Sequence, residues 1–376
     1  MKKRESNFEL MRIISMLFIV TTHIFSWGGV MNASSYEIQK IIYFIYAIIS
    51  IHVNSFVLVT GYFQSKAKFK ISKVIRLLLI MWFYKATLTI IGYKLGWFTL
   101  SKFELLWNIS PFDLSNYWFI KLYIVLYCLS PFINKMIAKL NRVSFRKLLI
   151  VMFFFCSVVM TLTNYELFNN AKGFSLVNFV LLYLIGAYIR KYVINERTKE
   201  KVTGSKERRR YFIIFVICFL INYCIFRIGN HFTVYDGVYK FFGDRVTNFF
   251  IAYDNPLLII GAVAYFMFFG LINVKNRIIN FISHFTLEIY IITETALFRP
   301  ILYGWFHLEG PFDSKMILLK VLVVAIIIFI SCLGIAWIRT QLCKLIGYFS
   351  SKIKVVKKFQ QKLANIETRV NEWMNV

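Results

Sequence analysis

The chain is a succession of apolar runs separated by short polar breaks, most runs being close to the length that crosses a bilayer. A helix of roughly 20 apolar residues matches the hydrocarbon thickness. Within that layer each backbone group must be satisfied internally, which leaves helices as the spanning element for runs of this kind. The runs fall near 10–28, 38–62, 75–95, 118–136, 147–163, 174–190, 211–229, 255–273, 281–303 and 315–339. They predict an all-α polytopic membrane protein with about ten transmembrane helices. In 376 residues such a bundle leaves no room for a large separate catalytic domain. The first run follows Met1–Arg4 as a signal peptide's apolar stretch would, but it is long and no small-x-small cleavage site follows it closely, so it reads as a retained helix.

Charge gives the orientation. Lys and Arg number 45 against 18 Asp and Glu, a formal net charge of +27. In a soluble chain that balance would point to nucleic acid. Here 59% of the residues are hydrophobic and only 17% charged, so no nucleic-acid partner is expected. With the N-terminus inside, the segments 1–12, 64–76, 135–147, 190–210, 273–282 and 339–376 carry 33 of the basic residues, and the outer segments carry 8. Positive charge is retained on the cytoplasmic side, so both termini are predicted cytoplasmic in a multi-pass protein of the plasma membrane. Arg208–Arg210 read as topology determinants within that pattern.

Two parts follow: a membrane-embedded domain over 1–339 and a basic tail over 340–376. Lys352, Lys354, Lys357, Lys358 and Lys362 alternate with apolar residues in the tail. That pattern predicts an amphipathic cytoplasmic helix on the anionic lipids of the inner leaflet. The six cysteines, Cys128, Cys156, Cys218, Cys224, Cys332 and Cys343, form no C-x-x-C pair and have no accompanying His cluster. They read as small packing residues, and no metal is expected.

Ionisable groups inside a span are costly and mark function or a buried ion network. Arg12, His23, His52, Lys85, Lys121, Glu288, Glu294 and Arg299 qualify, Lys121 and Lys320 as side chains that reach a membrane edge. Arg12 and His23 are eleven residues apart, about three turns plus 20°, so they share one helix face about 16 Å apart in height. A cation at the inner edge can hold a phosphate-bearing ligand. A neutral imidazole at depth can take a proton from a hydroxyl; the alternative for His23 is a packing hydrogen bond to a neighbouring helix. Glu294, about 20 Å up the ninth span, comes to the same height as His23 and can orient an imidazole there. Glu288 and Arg299, also eleven apart, are expected to share another face of that span. The inner cluster Lys66, Lys68, Lys70, Lys73 and Arg76 reads either as topology or as a docking patch for nucleotide phosphates. No Walker loop, G-x-G-x-x-G or G-x-S-x-G is present.

With these residues in place the chain resembles the acyltransferase-3 family of integral membrane acyltransferases, in particular Gram-positive members that O-acetylate cell-surface polysaccharides. Arg12 and His23 match the R-x10-H signature. Ser55–Tyr62, Tyr117–Lys121, Leu129–Asn134, Leu184–Arg190, Tyr253–Pro256 and Thr286–Tyr290 with Glu294 resemble family motifs over essentially the whole chain. The resemblance implies acetyl-CoA as donor from the cytoplasmic side, His23 as catalytic histidine and Arg12 as its supporting arginine. The family's R-R-x-x-R cluster falls on Ser72, Lys73 and Arg76, so two of its three cations remain, Lys73 and Arg76, to meet the donor's phosphates. Where many members carry a histidine before the ninth-span glutamate, this chain has Thr293. Many relatives also carry an extracytoplasmic SGNH-type domain. None is expected here, so either this chain acylates the final acceptor or a separate partner does.

The expected activity is therefore O-acetyl transfer to a polysaccharide or lipid-linked glycan, with the polysaccharide-synthesis machinery as a further partner. A polysaccharide-precursor flippase or permease is the alternative; it would be expected to show inverted repeats or paired broken helices, which the sequence lacks. A polymerase would be expected to have a long outer loop with functional arginines, and 227–255 holds only Arg227 and Arg245.

Overall fold

The computed structural model describes residues 4–111, 117–163, 171–194, 205–232, 237, 246, 249–250, 252–308, 310, 314–350 and 354–375. Among them regular structure is helical throughout, and eight helical segments are long and apolar enough to cross a membrane. Arg245, Lys352 and residues 195–204 of the 190–210 loop lie outside the described residues, as do the side chains of Lys354, Lys357 and Lys358.

The predicted apolar runs appear in order. The first is α1 (Ser6–Trp27). The second is a broken pair, α2 (Tyr36–Ile49) and α3 (His52–Gln64). Then come α4 (Ile71–Lys94), α5 (Trp118–Lys139), α6 (Arg142–Thr163), α7 (Leu176–Val193) and α8 (Ser205–Phe232). Two further runs depart from a single long helix. The eighth forms only the shorter α9 (Pro256–Gly270). The ninth is interrupted: α10 (Thr286–Glu294) ends where Thr295 becomes extended (ψ 112°), and the chain resumes as α11 (Arg299–Gly304). The tenth, α12 (Met316–Ser350), runs well past residue 339.

Helix α1 is central, packing against α3, α9, α10 and α12. Apolar side chains such as Leu79, Phe154, Phe155, Leu220 and Ile330 remain exposed on the outside of the bundle. A soluble protein would bury such a surface, whereas lipid solvates it. The tightest seam joins α3 and α7. A Cβ on Gly61 would lie 2.1 Å from the Tyr183 carbonyl oxygen, and one on Gly186 would lie 2.3 Å from the Leu58 carbonyl oxygen. Glycine at both positions lets the two backbones touch, as small residues do where membrane helices meet.

The tail forms a separate helix, α13 (Lys354–Asn375), against the start of α4. The Asn375 Oδ1 accepts from the Phe69 amide and the Asn371 Oδ1 from the Ile71 amide, each at 2.8 Å, and the Asn375 Nδ2 donates to the Phe69 carbonyl at 3.1 Å. The first amides of a helix lack intrahelical acceptors. Here Asn371 satisfies the Ile71 amide at that end of α4 and Asn375 brackets Phe69 just before it, so the tail is pinned to the segment that leads into α4.

Candidate active site

A cavity of about 510 Å³ runs alongside α1, within the range of small-molecule sites. At the end nearest the N-terminus it is lined by Arg4, Ser283 and His284, with Arg12 further in. His23, His52 and Glu294 line its deeper part, and Trp27, Trp118, Phe174, Tyr253 and Arg299 its far end. Arg12 and His23 thus face the same space, as their helical spacing requires.

His23 and Glu294 come together in that deeper part. The His23 Nδ1 is 3.2 Å from the Glu294 Oε1. Both atoms are sealed from solvent, and neither makes an aligned hydrogen bond among the described residues. The His23 side chain is 15% exposed, so its accessible part is the remainder of the ring. The second carboxylate oxygen of Glu294 lies 3.5 Å from the Arg299 guanidinium, which in turn lies 3.7 Å above the Trp27 ring. A cation over an aromatic face and beside a carboxylate is held on two sides.

The break in the ninth run creates this arrangement. A continuous helix would carry Arg299 round with Glu288. Instead the amide of Arg299 bonds the Thr295 carbonyl (2.8 Å) and the Tyr117 and Thr295 hydroxyls meet at 2.8 Å, fixing the turn that folds Arg299 back onto Glu294. The expectation that Glu288 and Arg299 share a face is therefore corrected. Glu288 belongs to a separate buried network: its carboxylate accepts from Arg339 at 2.8 and 2.9 Å and from the Tyr84 hydroxyl.

His52, at the start of α3, lies beside the pair. Its Nε2 is 3.3 Å from the Thr22 hydroxyl, and its Nδ1 is buried with no hydrogen-bonding partner. Arg12 pairs with Glu9 at 3.1 Å and lies 5.9 Å over the Phe63 ring. Arg4 donates to the Asn280 carbonyl at 2.8 Å and approaches the His284 Nδ1 at 3.1 Å.

Lys73 and Arg76 are placed differently. Both stand exposed on the first turns of α4, outside the lining of this cavity. Arg76 lines a second, mostly apolar groove of about 580 Å³ between α4, α12 and α13, together with Arg339 and Leu363. It remains within electrostatic reach of His284 at the cavity's basic mouth. Lys85 is buried on α4, and Lys320 donates to the His307 carbonyl at 2.9 Å.

Sequence reasoning did not single out Arg4, Thr22 or Arg339. Arg4 was legible only as one of an N-terminal basic group, and Arg339 as an inner-edge cation.

A basic mouth can hold an anionic group, and a buried imidazole–carboxylate pair can serve as a base at depth. A family model described as "Acyltransferase domain" matches residues 5–339. No curated protein and no solved structure matches the chain.

Proposed function

The chain belongs to the acyltransferase-3 family and is a multi-pass membrane acyltransferase, and we propose that it moves an acetyl group from cytoplasmic acetyl-CoA to a hydroxyl of a cell-surface or lipid-linked polysaccharide. The observation that carries this reading is one cavity with Arg4 and Arg12 toward its mouth and the His23–Glu294 pair at depth.

Arg4 and Arg12 would draw the donor's phosphates to the inner mouth, with Lys73 and Arg76 beside it as further cationic contacts. The acyl-bearing arm would follow the stripe from Arg12 to His23, about 16 Å along α1. His23, as the neutral imidazole, removes the proton of the acceptor hydroxyl while that oxygen attacks the thioester carbonyl. The carbon–sulfur bond then breaks, and the CoA thiolate takes the proton from the imidazolium. Glu294 faces that imidazolium with one oxygen, and Arg299, 3.5 Å from the other, orients the carboxylate. The thioester is already activated, so alignment and a base supply most of what the step needs. Anionic inner-leaflet lipids are the proposed contact of the basic tail.

The test uses purified full-length protein, labelled acetyl-CoA and the producing strain's surface polysaccharide stripped of ester acetate by mild alkali. Transfer of label to polysaccharide by the wild type, lost in His23→Ala, is the expected result. A His23→Ala protein that acetylates at the normal level would remove the mechanism. A gene deletion that abolishes the polymer altogether would favour a flippase or permease.

A further inference from the structure

The far end of the cavity is built in a way that the His23–Glu294 chemistry alone does not call for. Trp118, Phe174 and Tyr253 meet there from three separate segments. Ring centroids are 4.5 Å apart for Trp118–Phe174 and 4.9 Å for Phe174–Tyr253, and Trp118 and Tyr253 lie 6.0 Å apart and within 19° of parallel. Phe174 stays 43% exposed, so the cluster presents open aromatic surface.

Polar contacts from several elements fix that surface. The Tyr253 carbonyl accepts from the Asn54 Nδ2 at 2.9 Å, and the Tyr253 amide donates to the Lys172 carbonyl at 2.9 Å. The next carbonyl, of Asp254, accepts from the Ser157 hydroxyl, which sits in a π-helical turn of α6. The Asn255 Nδ2 donates to the Asn222 Oδ1 at 2.8 Å. Gly173 takes a positive φ of 83°, and a Cβ there would lie 2.5 Å from the Asp254 amide nitrogen. Glycine therefore lets the Phe174 segment close onto the Tyr253 turn. The His52 ring lies 5.9 Å from Tyr253, with its Nδ1 still unpartnered.

We infer that this aromatic end is the acceptor subsite, and that it takes a pyranose ring. A pyranose offers a face of C–H groups bordered by hydroxyls. The electron-rich faces of aromatic rings attract such C–H groups, while the hydroxyls need polar partners. His23, Glu294 and His52 line the same cavity as the cluster and can supply such partners. Arg4 and Arg12 stand at the opposite end, while the cation at the aromatic end, Arg299, is paired with Glu294, so an anionic donor and a largely neutral sugar would approach His23 from opposite directions. This assignment rests on the proposed glycan acceptor and names the residues that would select it.

Steady-state transfer by Phe174→Leu and Trp118→Leu, with labelled acetyl-CoA and the alkali-stripped polysaccharide, tests it. The acceptor KM should rise about tenfold, with the donor KM unmoved and most of the loss recovered in Trp118→Phe. An unmoved acceptor KM, or donor and acceptor KM rising together, would overturn the assignment. Melting temperature gives a readout independent of acyl transfer, since a ligand bound to the folded state raises it. Stripped polysaccharide well above its KM should raise the melting temperature of the wild type and leave that of Phe174→Leu unchanged. No rise in the wild type, or an equal rise in both, sinks the subsite. A rise confined to the wild type without any acetyl transfer keeps the subsite and sinks the acyl-transfer reading instead.

Discussion

The Nδ1 of His23 and the Oε1 of Glu294 lie 3.2 Å apart, although 271 positions separate them in the chain and they sit on different helices. Glu294 is the last residue of its helix, so its carboxylate projects from a break rather than from the middle of a regular span. That lets one carboxylate face an imidazole with one oxygen and a guanidinium with the other.

Replacing His23 by Ala should lower the acetyl-transfer rate by about 10³-fold, the scale of a lost general base. Glu294→Gln keeps the shape but removes the charge, and should cost about a hundredfold. Labelled-acetate transfer by the purified variants, with melting curves to show that they remain folded, measures both.

Glu288 and Arg339 form a pair in which neither side chain is more than 10% exposed. Removing one partner strands a buried charge, so Arg339→Leu should destabilise the protein by about 3 kcal/mol. The double variant Glu288→Gln with Arg339→Leu should recover part of that loss. Thermal unfolding in detergent reads both; equal losses in the single and double variants would show that the pair does not act as a unit.

Gly61→Ala and Gly186→Ala should each separate α3 from α7, because the added methyl meets backbone that has no room to yield. A loss of about 2 kcal/mol or more is expected. A Cβ on Gly334, in α12, meets nothing within 4 Å, so Gly334→Ala should be neutral or mildly stabilising. Yield of monodisperse protein and melting temperature compare the three directly.

The tail clamp has an amide-level signature. Asn371→Ala with Asn375→Ala should remove protection from hydrogen exchange at the Phe69 and Ile71 amides, which donate to those side chains. Each lost bond is expected to be worth about 1 kcal/mol. Unchanged exchange at both amides would show that α13 is not held there by these contacts.

Much of the architecture was legible because a membrane imposes simple rules. Apolar length gave the spans, and a helix repeat put Arg12 and His23 on one face, where both line the cavity. Height along a helix also placed Glu294 level with His23. The sequence could not show that the ninth run breaks after Glu294. The apolar pattern of 281–303 has no Gly and only one Pro, Pro300, which lies beyond the break, and the fixing contact comes from Tyr117 on another helix. Counting eleven residues from Glu288 to Arg299 along an unbroken helix therefore assigned Arg299 to the wrong face.

Sequence by itself determined the helical class, the number and order of apolar runs, and the polar residues too costly to bury without a purpose, because these follow from local pattern and from solvation in lipid. Tertiary structure alone decided which of those residues meet. It gave Glu294 to His23 and Arg299, gave Glu288 to Arg339, set Arg76 outside the main cavity, and gathered Trp118, Phe174 and Tyr253 at one end of it. The physical reason is that pairing depends on how helices pack and where they break. Those outcomes are set by close contacts between distant segments, such as Gly61 against Tyr183 and Gly173 against Asp254, which local periodicity does not encode.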